Sequence, residues 1–182
     1  MRTLKPVIRK ETPPRELDAL LRARRRGGKR IRLQHLIIRR FDFSGRVMPG
    51  VEMYDLVLEK CRFNQAHFSG GILGELSART SDFRDAVLED TDIVWSEMTD
   101  TRWDGARLVR TCFYETDLSG ASFRHADLTG ATFTHCDLSR ADFTGAVLTS
   151  TRFDGCRHTG TIGLSDRNFA YEPAMFSQIN WR

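Results

Sequence analysis

The sequence predicts an all-β solenoid, and three observations lead to that prediction. Apolar side chains, all of them large except Ala78, recur at every fifth position from Leu33, and the register runs for 26 positions without a slip to His158, which alone is polar. Small residues, most often alanine, stand two positions earlier, and glycine often stands two positions later. A five-residue period spirals around an α-helix and alternates between the faces of a β-strand. The set can share one interior only if the backbone turns once per pentapeptide, which closes a four-sided coil after about twenty residues.

The first element, residues 1–30, is predicted to be a basic arm and a capping helix. Thr12 and two prolines mark a helix start, and Gly27-Gly28 mark its end. Leu17, Leu20 and Leu21 form one apolar stripe, as expected of a helix that covers the open end of a solenoid. These 30 residues hold eleven Lys or Arg and three acidic residues, whereas the whole chain of 182 residues has a net charge of only +4. The rest of the chain is therefore acidic.

The cations of this arm are interpreted as the solvated face of the helix: Arg22, Arg24, Arg25, Arg26, Lys29 and Arg30. Binding to nucleic acid phosphates is the alternative. Because no aromatic residues alternate with these cations, direct nucleic-acid binding is not expected.

The second element, residues 31–160, carries the repeats. Ala121-Ser122-Phe123, Ala126-Asp127-Leu128 and Ala141-Asp142-Phe143 each begin a pentapeptide. This pattern resembles the pentapeptide repeat family, whose consensus is Ala-(Asp/Asn)-Leu-x-x. The resemblance implies a right-handed quadrilateral β-helix, here of about six coils. The early repeats depart from the consensus in the small register, at Arg46, Leu56, Gly71 and Leu76, so their coils are expected to be less regular.

The third element, residues 161–182, is predicted to be a C-terminal cap or a dimerisation tail. It is apolar at Phe169, Tyr171, Phe176, Ile179 and Trp181. Such a tail could cover the last coil or pair with a second chain. In members of the family a C-terminal segment forms the dimer, so the resemblance leaves a homodimer open.

No catalytic constellation is present, and neither an enzymatic activity nor a cofactor is expected. Cys136 and Cys156 stand twenty residues apart in the inward small register, so they should lie one above the other. With His135 and His158 nearby, a metal site or a disulfide is conceivable. The register favours the simpler interpretation, in which both are small buried residues in the place of alanine.

Two outward patterns supply the candidate binding residues. Glu97, Asp117 and Asp137 stack on one face in three consecutive coils, where like charges repel unless a cation or a partner meets them. Tyr54, Trp95, Tyr114 and Glu115 lie along the neighbouring corner. Exposed aromatic rings beside acidic residues are typical of a binding hot spot. The alternative is that the rings lie flat on neighbouring side chains.

These features favour a non-enzymatic protein-interaction module: a rigid rod that presents a charged and aromatic surface to a protein partner, as an adaptor or scaffold. Some family members accompany bacterial secretion machinery, and the resemblance allows such a role. The alternative is a DNA mimic that modulates DNA gyrase or topoisomerase IV, as in the quinolone-resistance members. The acidic ladder supports the alternative, whereas eight Arg among residues 81–160 and the basic arm oppose it.

The cellular setting is predicted from cysteine usage and hydropathy. No apolar run is long enough for a membrane span, and no signal segment is recognised. Four cysteines in such a chain indicate reduced thiols. A cytoplasmic protein is therefore expected, and the resemblance to the family implies a bacterial one.

Overall fold

The computed structural model describes residues 10–26, 30–165 and 168. Within them the chain forms a β-solenoid of about six turns with one short helix near its N-terminal end, which confirms the predicted fold class. The elements in chain order are β1 (Lys10–Glu11), α1 (Pro14–Arg26), β2 (Arg32–Arg39), β3 (Glu52–Glu59), β4 (Ile72–Gly74), β5 (Asp92–Val94), β6 (Cys112–Tyr114), β7 (Thr132–Thr134) and β8 (Arg152–Asp154).

The four-sided coil is visible in the pairing register. The eight strands form one parallel sheet in sequence order, and from β2 onward each residue pairs with the residue twenty positions later, as in Leu33 with Met53. Three further ladders of parallel bridges run along the other sides with the same spacing, beginning with Asp42–Arg62, Val47–His67 and Val57–Ser77. Twenty residues therefore make one coil, as the five-residue period predicts.

The corners have a uniform backbone conformation. Every fifth residue from His35 to Gly160 has a positive φ, between 45° and 73°. Glycine suits this left-handed region, yet 17 of these 26 corners carry a side chain. The coil above compensates part of the strain, since most corner N–H groups donate a hydrogen bond to the carbonyl 19 residues ahead, as in Thr80 N to Thr99 O at 2.9 Å. Glycine is thus favoured at the corners but not required there.

The interior consists of stacked side chains from the large register. Phe63 stacks on Phe43 at a centroid distance of 4.7 Å, and Trp103 stacks on Phe83 at 4.2 Å. The Trp103 indole is fully buried, and its Nε1 donates a hydrogen bond to Thr101 Oγ1 at 2.9 Å. One contiguous core therefore runs along the coils.

The small register adds polar links between coils. Thr111 Oγ1 donates to the Leu88 carbonyl at 2.7 Å, and Thr91 and Thr116 make the same contact to carbonyls 23 residues earlier in the chain. A hydroxyl fits this position because the carbonyl of the coil below faces it. Threonine therefore satisfies its own buried oxygen while it ties two coils together.

The early coils differ from the late ones, as expected. β2 and β3 have eight residues each, whereas the later strands have three. Leu76 and Ala78 exchange the usual sizes within one pentapeptide, and both are buried. Arg46, in the small register, does not enter the apolar interior. Its guanidinium donates to Asp18 of α1 at 2.6 Å and lies 5.0 Å from the centroid of the Phe41 ring.

The N-terminal helix covers the first coil, with two differences from the prediction. Leu17 and Leu21 are buried, but Leu20 is 36% exposed and lies outside the packed stripe. Thr12 does not begin the helix. Its N–H donates to the Ile37 carbonyl and extends the pairing of β1 with β2, while the Pro13 carbonyl accepts the first helical hydrogen bond from Leu17.

At the other end, the interior positions of the last coil are partly exposed, as at Leu148 and Cys156. The predicted cap or dimer residues Phe169, Tyr171, Phe176, Ile179 and Trp181 lie outside the described residues. None of the helices described is long and apolar enough to cross a membrane.

Candidate interaction surface

One corner of the rod concentrates the negative charge. It consists of the eight-residue segments 71–78, 91–98, 111–118 and 131–138, which lie above one another in four successive coils, and we call it the acidic corner. These segments contain six carboxylates and no Lys or Arg. The remainder of the same coils, up to residue 150, contains eight carboxylates and seven Arg. The charge is therefore strongly one-sided around the rod axis.

A row of aromatic rings follows the acidic corner. Trp95 is 55% exposed, and its ring packs perpendicular to Tyr114 at a centroid distance of 6.1 Å and an angle of 87°. Tyr114 in turn packs against His135 at 6.2 Å. Hydrogen bonding to the Glu115 carboxylate and the negative charge of that group raise the pKa of Tyr114. Tyr114 is thus a half-buried support, and Trp95 is the ring that solvent reaches.

Tyr54 does not join this row. It is half-buried, and its ring covers Gly74, where an added Cβ would lie 2.5 Å from Tyr54 Cε1. Gly74 stands twenty residues after Tyr54 and leaves the space that the ring fills. Beside it, His35 Nδ1 and Asp55 Oδ2 lie 2.8 Å apart. For Tyr54 the geometry matches the alternative that the sequence left open, a ring lying flat on its neighbour.

The acidic ladder of Glu97, Asp117 and Asp137 supplies three of the six carboxylates of the acidic corner, and its two ends are paired with Arg side chains. Arg79 forms an ion pair with Glu97, and Arg157 forms one with Asp137. Burial opposes the ionisation of Asp137, yet hydrogen bonds from Ser139 and the charge of Arg157 hold its pKa below the usual value. Asp117 accepts a hydrogen bond from the Ser119 N–H at 2.9 Å. Much of the expected repulsion is therefore already offset within the chain.

Three other acidic groups of the corner are more open. Glu75, Asp92 and Glu115 are exposed, and no ion pair joins any of them to another described residue. Glu75 and Glu115 occupy the left-handed corner positions one coil before and one coil after Trp95. The most exposed aromatic ring of the corner is therefore flanked along the rod by two exposed carboxylates.

Cys136 is buried as the register predicts, whereas Cys156, in the last coil, is partly exposed. All four cysteines are free thiols. Cys136 Sγ donates to the Phe113 carbonyl at 3.4 Å, and Cys156 Sγ donates to the Phe133 carbonyl at 3.3 Å, the contact that threonine makes elsewhere. The neighbouring Cys156 thiol and burial both raise the pKa of Cys136. No group of three or more His, Cys, Asp or Glu within the described residues is arranged to hold a metal ion.

A cavity of about 260 Å³ lies between α1 and the first coil. Its walls include Leu21, Ile31 and Met48, and Arg22 and Arg46 line it as well. Both guanidiniums are already held by Asp18, at 2.7 Å and 2.6 Å. The side chains of Arg24, Arg25 and Arg26 and the whole of Lys29 fall outside the described part of the molecule.

Comparison with known proteins finds matches to the repeats of the coil. A family model described as pentapeptide repeats matches residues 81–124 and 121–157, with eight copies. Among curated proteins, none matches the chain. A solved structure of trypsin-treated QnrB1, a plasmid-mediated fluoroquinolone resistance protein, has 22% identity over 76% of this chain and 79% of its own, with a TM-score of 0.49.

Two further structures are similar. HetL, involved in heterocyst differentiation regulation in the cyanobacterium Nostoc sp. strain PCC 7120, has 18% identity over 78% of this chain and 94% of its own, with a TM-score of 0.47. A pentapeptide repeat protein of the Arabidopsis thaliana thylakoid lumen has 25% identity over 54% of this chain and 68% of its own, with a TM-score of 0.39.

These TM-scores lie below 0.5, so the assignment rests on the matched repeats and on the coil itself. The matched region ends at residue 157, while the same twenty-residue register and the same corners extend back to the first coil. We therefore conclude that residues 81–157 are pentapeptide repeats, and that the described coil continues the same repeat geometry back to β2.

Proposed function

We propose that the chain is a non-enzymatic protein-interaction module, in which a β-helical rod binds a protein partner through the acidic corner. The observation that carries the proposal is Trp95, a large ring that is 55% exposed. Burying such a ring in an interface releases apolar surface from water, and Trp is among the residues that most often dominate binding energy.

The position of Trp95 supports the proposal. The backbone of Trp95 is left-handed, with φ 50°. The equivalent corner holds His135 two coils later and Gly155 three coils later. A tryptophan in this conformation is strained, and nothing in its own coil buries it. A small residue would be sufficient for a structural role at this corner. The Trp95 ring is therefore best explained by contact with a partner.

The rod supports an adaptor or scaffold role. Each coil pairs with its neighbours along four parallel ladders. Stacked coils hold the corner side chains at the spacing of adjacent strands, about 4.8 Å. A partner would therefore meet a surface that needs little ordering on binding, which favours affinity.

The DNA-mimic alternative has less support. A mimic of duplex DNA would present negative charge along the rod, whereas the sides outside the acidic corner carry seven Arg against eight carboxylates between residues 71 and 150. The ends of the acidic ladder are also paired with Arg79 and Arg157. We therefore favour a partner that binds one corner rather than one that surrounds the rod.

An affinity pull-down from bacterial lysate tests the proposal. The wild-type chain is compared with Trp95→Gly, which restores the residue found at the equivalent corner of the last coil. A second comparison uses two double variants. One carries Glu75→Lys and Glu115→Lys, and the control pair carries Asp85→Lys and Asp100→Lys. All four positions are exposed left-handed corners, so both pairs change charge and backbone alike.

We expect a protein that is enriched by the wild type and by the control pair, and lost with Trp95→Gly and with the Glu75 and Glu115 pair. Enrichment that all folded variants retain would refute the assignment to the acidic corner. Gyrase or topoisomerase IV subunits among the lost proteins would promote the DNA-mimic alternative, and a supercoiling assay would follow.

A further inference from the structure

Trp95 and Tyr114 form a notch with two perpendicular aromatic walls. The rings meet at 87° with centroids 6.1 Å apart. His135 packs on the other side of Tyr114, at a centroid distance of 6.2 Å, and so supports its ring. Trp95 is therefore supported on one side and open on the other, as in sites where aromatic faces receive a cation.

The charges around this notch have one sign. Glu75 and Glu115 flank Trp95 along the rod, and Asp92 lies in the same coil on the adjoining side. All three carboxylates are exposed. Arg79, which follows the first segment of the acidic corner in the chain, is engaged by Glu97. A positive group entering the notch would thus meet aromatic faces and carboxylates that no Lys or Arg of these four segments neutralises.

From this charge and shape complementarity, we infer that the protein partner inserts an arginine side chain into the Trp95–Tyr114 notch, from a basic segment that runs over Glu75 and Glu115. A guanidinium is planar, so it stacks on an indole and at the same time reaches a carboxylate with two hydrogen bonds. An ammonium group is a compact, strongly hydrated charge and stacks less well. The site therefore selects arginine over lysine. This inference rests on the proposed function and specifies the partner's chemistry.

The test uses two synthetic peptides of five repeats each, Gly-Arg and Gly-Lys, and titrates each into the full chain by calorimetry at 150 mM salt. We expect the arginine peptide to bind at least about fivefold more tightly than the lysine peptide. Trp95→Gly removes this preference, and Trp95→Phe keeps part of it. Glu75→Lys with Glu115→Lys weakens binding at least about tenfold, whereas Asp85→Lys with Asp100→Lys changes it less than about twofold.

Equal binding of the two peptides by the wild type would overturn the inference, as would a preference that survives Trp95→Gly. A partner captured through Trp95 in the pull-down, together with no peptide binding, would leave the proposed function standing and refute the arginine. Salt-sensitive self-association that Trp95→Gly abolishes would make the basic arm of a second copy the occupant, and so refute an external partner.

Discussion

Residues 31–80 and residues 81–157 build the same coil around different interiors. In the later region the small register holds only Ala, Ser, Thr and Cys, and this is the region that the family model matches. In the earlier region the same register ranges from Gly71 to Phe41 and Arg46. Yet the left-handed corner at every fifth residue continues through both. The corner and the inward large residue therefore define the coil, and alanine is only the commonest way to fill the remaining space.

The earlier interior works because its exceptions compensate one another. Gly71 follows Val51 in the stack, and an added Cβ there would lie 2.7 Å from the Val51 carbonyl oxygen. Leu76 and Ala78 exchange sizes inside one pentapeptide. Arg46 faces Asp18 at the rim, where α1 supplies a carboxylate. The comparison teaches that irregular repeats need specific neighbours, whereas regular repeats need only one another.

The variant with the largest expected effect places an irregular residue without its specific neighbour in the regular region, residues 81–157. Ala106 occupies the stack of Arg46, but it is fully buried between coils that offer alanine on both sides. Ala106→Arg should lower the free energy of unfolding by about 4 kcal/mol or more, because the charge has no carboxylate to meet. Urea unfolding followed by circular dichroism measures the loss.

Two variants complete this comparison. If Ala106→Arg fails to fold, Ala106→Met, a long uncharged side chain, should fold with a loss of about 1–3 kcal/mol from overpacking. Arg46→Ala should instead speed amide hydrogen exchange in α1 and leave residues 81–157 protected. Equal stability of Ala106→Arg and the wild type would mean that the capping helix is not what makes Arg46 tolerable.

The next prediction tests whether the large and the small inward residue of one pentapeptide can exchange positions. Leu76→Ala should cost about 2–4 kcal/mol, since it leaves a cavity beside Ala78. Adding Ala78→Leu restores the volume and creates a consensus pentapeptide, so the double variant should cost less than about 1.5 kcal/mol. A thermal melt of both variants measures the difference. Losses that simply add would show that this irregular repeat cannot be converted into a regular one.

A third effect concerns acid. Burial opposes the ionisation of Asp82, yet hydrogen bonds from Arg84 and Asn64 lower its pKa to about 2. Because the folded pKa lies below the usual 3.8, Asp82 stabilises the fold above about pH 4, and the contribution disappears as the pH falls toward 2. Asp82→Asn should therefore cost about 1–2 kcal/mol at pH 7 and almost nothing at pH 2.

Asp42 occupies the equivalent outer position two coils earlier and is more exposed. Asp42→Asn should change the acid dependence in the same direction by less. Unfolding free energies between pH 2 and pH 7 provide the measurement. A pH-independent cost of Asp82→Asn would rule out the charge as its cause.

The smallest effect lies at the boundary between the regions. Thr80 is a β-branched residue at φ 56°, and Thr80→Gly should stabilise the chain by about 0.5 kcal/mol through relief of that strain. Gly120 occupies the same corner two coils later, where a Cβ would contact the Asp100 carboxylate. Gly120→Thr should destabilise by more than Thr80→Gly stabilises. The melting temperatures of the two variants decide the matter, and a loss on Thr80→Gly would contradict the strain.

The five-residue register alone predicted the coil, because nearly every pentapeptide repeats the same placement of a small and a large inward residue. It could not predict β1, since Lys10-Glu11 carries no pattern. Nor did it predict the pairing of the acidic ladder, because Arg79 and Arg157 reach Glu97 and Asp137 along directions that spacing does not reveal. The position of Tyr54 was readable in principle, since Gly74 stands twenty residues later. The exposure of Trp95 followed from its corner position, but its contact with Tyr114 required side-chain coordinates.

The pairing of each strand with its neighbours in sequence order has a consequence for the length of the rod. β1 pairs with β2 and α1 packs on the first coil, so the edge of that coil is covered. A completed coil offers an edge to each of its neighbours, so no coil needs a distant segment of the chain in order to pair. A duplicated block of twenty residues would lengthen the rod by one layer and shift every later surface along it. The number of twenty-residue blocks in the sequence thus determines the length of the rod.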